Sequence, residues 1–394
     1  MTDATVIVGA GQAALQAAVS LRQEGFAGPI VMIGQEASPP YQRPPLSKAY
    51  LKGEVDQQRL WLKPAEFYSK FSVDLRLSET VSHIDCANSV VETASGAVIP
   101  YANLLLATGS RPRRMTIPGA DRDCVRYLRT LSDVDELRAS LTSGTRLVVI
   151  GGGYIGLEVA AVARTLGADV KLVEAAPRLL ARVASPAISD FFLRTHRARG
   201  IDVKIGLGVV ALEDHADAAA GVALTDQSVL PADLVLVGIG AVPNEELAAA
   251  AGLVVDSGIV VDAHTRTSVA NVFAAGDCAR HPNPIYGPHL RLESVPNAIE
   301  QAKVAAAAIA GKPKEYHQIP WFWSDQYEFK FQAAGLIDQA DRMEIVGDVE
   351  ATPFSVRHYR GDDLIAIEAV NDQARFMAAR VEISTLLARF PHHS

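Results

Sequence analysis

Thr5-Val6-Ile7-Val8-Gly9-Ala10-Gly11-Gln12-Ala13-Ala14 opens the chain, and Leu147-Val148-Val149-Ile150-Gly151-Gly152-Gly153-Tyr154-Ile155-Gly156 repeats its pattern about 140 residues later. Each is an apolar β-type run that breaks into G-x-G-x-x-G/A and passes into an alanine- and leucine-rich helical stretch. The first glycine permits the tight turn, and the second lets a pyrophosphate approach the backbone. The third position, Ala14 or Gly156, must be small so that the helix can pack on the strand. The free N–H groups and positive end of each helix then hold phosphates. One such turn is a weak signal. Two in one chain predict two dinucleotides held together, and so electrons passing between them.

Working outward, the first βαβ signal closes with Pro29-Ile30-Val31-Met32-Ile33-Gly34, and the second with Val170-Lys171-Leu172-Val173-Glu174. Short strands are expected over 73–108 and at 201–205, 222–224 and 234–237. Arg111-Pro112-Arg113 with Ile117-Pro118-Gly119 reads as a crossing between domains, and Gly238-Ile239-Gly240-Ala241-Val242-Pro243-Asn244 as the return. A last strand at 272–275 leads into Gly276-Asp277, and Asp277 is expected to open a helix. Residues 296–310 read as helix; beyond Trp321, strands near 343–347, 354–359 and 364–370 precede a helix around 373–388. The fold class is therefore α/β, with a first nucleotide domain (1–114 and 241–318) interrupted by a second (115–240) and followed by a C-terminal α+β domain (319–394).

A chain of 394 residues with 49% hydrophobic and 21% charged residues can bury several cores. No apolar run reaches the ~18–20 residues of a membrane span. The N-terminus enters a strand almost directly, so no leader is expected. The three scattered cysteines, Cys86, Cys124 and Cys278, suit a reducing cytoplasm. A net charge of −8 argues against a general nucleic-acid binder. The ten histidines show no metal-ligand spacing, and His392-His393 reads as a tail.

The residue ending the second strand of a βαβ unit faces the adenine-side ribose, where a carboxylate accepts hydroxyl hydrogen bonds and repels a 2′-phosphate. Glu174, 23 positions after Gly151, predicts NADH preference in the second unit. Its competing reading is a solvated strand-end carboxylate. In the first unit Gln35 and Glu36 both stand at that place, and the residues alone leave the choice open.

Arg43-Pro44-Pro45-Leu46-Ser47-Lys48, Leu106-Ala107-Thr108-Gly109, Gly151-Gly152-Gly153-Tyr154-Ile155-Gly156-Leu157-Glu158, Ala275-Gly276-Asp277-Cys278, Glu293-Ser294-Val295-Pro296-Asn297 and Pro320-Trp321-Phe322-Trp323-Ser324-Asp325-Gln326 together resemble the FAD-dependent ferredoxin reductases that serve bacterial cytochrome P450 and ring-hydroxylating dioxygenase systems. The resemblance covers nearly the whole chain. It implies a glutathione-reductase-like three-domain flavoprotein that uses FAD and NADH and donates to a [2Fe–2S] ferredoxin. It implies that Asp277 accepts a ribityl hydroxyl, a role that can coexist with a helix cap. Ala13, Lys48, Val81 and Arg129 match FAD contacts, the guanidinium of Arg129 being suited to a phosphate. Val295 matches a position whose backbone lies along the flavin. Arg43, Ala107, Thr108, Gly109, Gly240 and Trp321 join the same cofactor-binding set. At Gln35 the family pattern carries Asp, a local departure.

The resemblance further places Lys48 and Glu158 at the flavin. Lys48 would stabilise the negative charge that builds there, and Glu158 would pair with it and receive the nicotinamide amide. The bland alternatives are a solvated loop lysine and a carboxylate favoured by a helix N-terminus. Pro45 is expected beside the isoalloxazine, and Tyr154 and Ile155 beside the nicotinamide. Trp321 and Trp323 read either as core residues or as part of the surface that meets the ferredoxin. Arg291, Lys303, Lys312 and Lys314 form either a steering patch for an acidic ferredoxin or an ordinary solvated face.

Disulfide reductases share the two-nucleotide plan but need a C-x₂-C or C-x₄-C pair, and none exists here. An NADH oxidase would need a peroxidatic cysteine in the same place. Rubredoxin reductase is the near alternative, separated only by its docking surface. A DNA-binding flavoprotein resembling apoptosis-inducing factor would favour a basic chain.

Overall fold

The computed structural model describes residues 3–389, so His392 and His393 lie outside the described residues. Thr5–Val8 is wholly buried and forms the centre of a five-stranded parallel sheet. Its neighbours are Ile30–Ile33 and Asn103–Leu106, with Val73–Arg76 and Val272–Ala274 at the edges. Four consecutive buried residues are what a strand covered on both faces requires. The helix Gln12–Gln23 follows from Gly11 and buries Ala14, Ala17, Ala18 and Leu21. These small side chains pack close to the helix Val295–Ile309, whose buried face is likewise alanine.

Arg146–Ile150 occupies the matching centre of a second parallel sheet. Its order is Asp202–Ile205, Asp169–Glu174, Arg146–Ile150, Leu234–Val237, Val125–Arg126. Two short antiparallel strands, Ser110–Pro112 and Ala241–Pro243, carry the chain out to this sheet and back. Thr108 and Asn244 exchange side-chain-to-backbone hydrogen bonds of 2.7 and 2.8 Å beside them.

The C-terminal sheet is antiparallel, in the order Trp321–Gln326, Phe329–Gly335, Asp363–Val370, Phe354–Arg360, Arg342–Gly347. One face carries the helix Gln373–Leu387 through Phe376, Ala379 and Ile383. The other packs against the second nucleotide unit, where Phe191 meets Phe329 and Phe354, and Phe192 meets Phe331. Phe192, Phe331 and Phe354 are fully buried, worth about 2–3 kcal/mol each.

One expectation is corrected. Asp277 opens no helix; it lies in the turn between Val272–Ala274 and the strand Ala279–Asn283, which pairs antiparallel with Gly287–Arg291. The helix begins only at Val295. There Ser294 Oγ accepts the Asn297 N–H at 3.3 Å, and Pro296 takes a first-turn position where its missing N–H costs nothing.

Candidate active site

Both glycine turns open onto one cavity of about 1350 Å³. At Gly9 (φ 117°) a Cβ would lie 2.2 Å from the Ala107 carbonyl oxygen, and at Gly151 (φ 108°) 2.4 Å from that of Gly238. Only glycine fits either place. Around Gly11 nothing lies within 4 Å of such an atom, and around Gly153 only the Gly238 oxygen at 4.0 Å. No side chain caps either helix. Each turn is thus an open cradle of backbone with a helix N-terminus behind it, suited to a pyrophosphate. The donor set fits two dinucleotides.

Above the first turn, Asp277 Oδ2 accepts from Ser110 Oγ at 2.8 Å and from Arg129 at 3.1 Å. Gln301 Oε1 accepts the Gly276 N–H at 2.7 Å from below. Glu36 is held by Arg43 at 2.5 Å and by the Tyr41 hydroxyl at 2.5 Å. Arg43 also donates to the Arg129 carbonyl at 2.6 Å. Gln35 stands exposed at the cavity wall beside it. Above the second turn, Glu174 bends back on its own backbone. Its two oxygens accept the N–H groups of Gly152 at 2.6 Å and Ala176 at 2.7 Å.

Between the cradles, Lys48 Nζ lies 2.7 Å from Glu158 Oε2 and 3.1 Å from the Pro44 carbonyl. Glu158 is only 2% exposed. Ser47 Oγ donates to the same oxygen at 2.5 Å, and Ser324 Oγ donates to Oε1 at 2.6 Å. Tyr154 lies against Phe322, with ring centroids 4.4 Å apart, and burial pushes its hydroxyl pKa up.

Ala13, Val81, Thr108, Gly109, Ile155, Gly240 and Val295 also line the cavity. Four expected contacts do not. Ala14 is fully buried between helix and sheet, and a Cβ on Gly156 would lie 2.2 Å from the Gly151 oxygen, so both serve helix packing. Pro45 is outside the lining, whereas Pro44, Leu46 and Ser47 are within it. Trp321 packs against Phe376 and under Arg380, and Phe322 and Trp323 face the cavity instead. Of the four basic residues, each has a carboxylate partner: Arg291 with Glu293, Lys303 with Glu300, Lys312 and Lys314 with Glu24. Sequence reading missed Ser110, and it gave Ser47 and Ser324 no role although both lie inside quoted motifs.

Residues 3–302 match the pyridine nucleotide-disulphide oxidoreductase family, and residues 321–388 match the reductase C-terminal domain. A rhodocoxin reductase from Rhodococcus erythropolis is 44% identical over 389 residues, covering 99% of this chain and 91% of that protein. A rubredoxin-NAD(+) reductase from Pseudomonas putida is 38% identical, covering 93% of this chain and 96% of that protein. The crystal structure of a covalent putidaredoxin reductase–putidaredoxin complex superposes with a TM-score of 0.94 at 41% identity, covering 97% of this chain and 93% of that one. With matches of this extent to both of its parts, the chain belongs to the pyridine nucleotide-disulphide oxidoreductase family, among the members that carry the reductase C-terminal domain.

Proposed function

We infer that this protein is an FAD-dependent NADH:ferredoxin oxidoreductase, passing electrons to a [2Fe–2S] ferredoxin that feeds a cytochrome P450 or a ring-hydroxylating dioxygenase. The observation that carries this reading is the ion pair between half-buried Lys48 and buried Glu158, which lines the cavity shared by the two glycine cradles. Cys86, Cys124 and Cys278 are all free, and no cysteine pair is spaced for a disulfide relay. What a bound flavin supplies is the conversion of a two-electron donor into one-electron steps.

The chain's own residues bind and orient. The first cradle, with Asp277 and Arg129 above it, holds FAD; Asp277 keeps one oxygen for a ribityl hydroxyl. The second cradle, with Glu174 at its strand end, holds NADH. Lys48 supplies a fixed positive charge where negative charge develops, and it needs no reorganisation as the reaction proceeds. Glu158 fixes the lysine and offers the nicotinamide amide an acceptor. The reading extends to three units with limits at 1–114 with 241–318, 115–240 and 319–394, and to a cytoplasmic location, which the free cysteines support.

In stopped flow, Lys48→Ala should retain its yellow colour and reduce its flavin with NADH about 100-fold more slowly. Wild-type flavin reduction would remove the electrostatic role. Reduction of cytochrome c should be fast only with a [2Fe–2S] carrier added; acceleration by rubredoxin alone would favour the rubredoxin reductase reading, which the 38% identical relative keeps in view.

A further inference from the structure

All three units reach the Glu158 carboxylate. Ser47 comes from the 3-10 turn Pro44–Ser47 of the first unit, Glu158 from the helix Tyr154–Thr165 of the second, and Ser324 from the first strand of the C-terminal sheet. The C-terminal contribution is part of a directed chain that starts in the second unit. His196 Nε2–H donates to Gln326 Oε1 at 2.9 Å, Gln326 Nε2 donates to Ser324 Oγ at 3.3 Å, and Ser324 Oγ donates to Glu158 Oε1 at 2.6 Å. The directions agree along the whole chain: the carboxylate only accepts, so the serine hydroxyl must donate to it and receive from the amide. Ser324, Gln326 and His196 are each no more than 1% exposed.

We propose that Ser324 is a positioning residue for hydride transfer, through which the C-terminal domain fixes the Glu158 carboxylate against Lys48 and toward the nicotinamide. With Ser47 and Lys48 both on Oε2, Ser324 is the partner of Oε1 and so sets the rotation of the carboxylate about its last bond. Three nearby charged groups do not compete for the Glu158 carboxylate. Arg146 pairs with Asp233, Glu174 holds backbone N–H groups, and Asp325 alternates to the other face of its strand. A hydrogen bond to a charged group is among the stronger ones, so losing it should be felt at the reacting centre.

This inference rests on the reading that Glu158 meets the nicotinamide, and the test separates the two. In Ser324→Ala the limiting rate of flavin reduction by NADH should fall about tenfold. Equilibrium binding of the unreactive analogue 1,4,5,6-tetrahydro-NADH should weaken several-fold. Binding of ADP-ribose, which lacks the nicotinamide, should stay at the wild-type value, as should flavin content. Ser324→Thr keeps the hydroxyl and should restore both quantities. Should Ser324→Ala fail to fold, Ser324→Cys keeps the shape, in a slightly larger side chain, with a weaker donor and should show the same split at smaller amplitude. Wild-type analogue binding and rate in the variant, or equal weakening of the analogue and ADP-ribose, would overturn the positioning role. Glu158→Gln decides the underlying reading. If it also leaves the analogue and the rate untouched, Glu158 does not serve the nicotinamide; if it impairs both while Ser324→Ala does not, only the positioning role fails.

Discussion

At Gly9 and at Gly151 the backbone makes the same turn, yet the surroundings of the two turns have diverged. The first is walled by side chains from distant parts of the chain: Arg129 and Asp277 above it, Arg43 and Tyr41 gathered on Glu36 beside it. At the second, the strand-end carboxylate Glu174 folds onto the backbone of Gly152 and Ala176 and pairs with no cationic side chain there. Two apolar side chains at its rim, Ile155 and Val183, remain 43% and 44% exposed. A group that stays bound needs walls; one that enters and leaves each cycle needs an opening. On the proposed reading, one turn geometry serves a resident and an exchangeable dinucleotide, and the difference lies in the side chains that converge on each turn.

The largest effects should come from the glycines themselves. Gly9→Ala would force a Cβ to 2.2 Å from the Ala107 carbonyl at a positive φ, and Gly151→Ala to 2.4 Å from that of Gly238. Overpacking and strain together cost roughly 3 kcal/mol or more, on the order of 100-fold in binding. Purified Gly9→Ala should be colourless. Gly151→Ala should stay yellow and lose reduction by NADH while still accepting electrons from dithionite. A colourless Gly151→Ala would break the division of labour between the cradles.

Next comes acid sensitivity, because each half of the comparison has a buried histidine behind it. His281 stands below the first cradle, its Nδ1 accepting from Gln301 at 2.8 Å; His196 joins the second unit to the C-terminal sheet through Gln326. Burial pushes both down to about 4. Between pH 6.5 and 4 the unfolded chain therefore binds protons that the folded chain refuses. Stability is fully present above about pH 6.5 and is lost as pH falls toward 4. At pH 5 each histidine should cost about 2 kcal/mol relative to pH 7.5. Urea midpoints at the two pH values measure this. His281→Gln and His196→Gln should each remove one such increment, and an unchanged pH dependence in either variant would refute the burial argument for that site.

Legibility in the sequence followed the physics of each feature. The glycine turns were readable because a β-run, a hard steric requirement at one φ and an alanine-rich helix coincide within a dozen residues. The helix expected at 296–310 is found at Val295–Ile309 for the same local reasons. Asp277 was misplaced because Gly-Asp after a strand suits a helix start, and the hairpin that follows depends on pairing between Ala279–Asn283 and Gly287–Arg291. Lys48 and Glu158 came together only through resemblance to a family, since no local pattern links residues so far apart. Ser47 and Ser324 lie inside quoted motifs but have no periodicity and no charge, so nothing in the sequence pointed to their shared partner Glu158. The lysines at 312 and 314 read equally as a steering patch or a solvated face, because their partner, Glu24, comes from the end of the first helix, nearly 290 residues away.

The smallest effect separates the two strand-end carboxylates. Glu174 already accepts two backbone N–H groups, yet each of its oxygens has a second lone pair for a ribose hydroxyl. Glu174→Arg removes the negative charge and offers a partner for a 2′-phosphate, so the ratio of kcat/KM for NADH over NADPH should fall about tenfold, roughly 1.4 kcal/mol. It also strands the Gly152 and Ala176 donors, so kcat/KM with both nucleotides should drop, and the ratio is the quantity to read. Glu36→Gln supplies the contrast. That carboxylate serves Arg43 and Tyr41 in the other cradle, so the NADH/NADPH ratio should stay at its wild-type value while flavin is held less tightly. A ratio that moved in Glu36→Gln and stood still in Glu174→Arg would exchange the two assignments, placing the nicotinamide dinucleotide on the walled turn and the flavin on the open one.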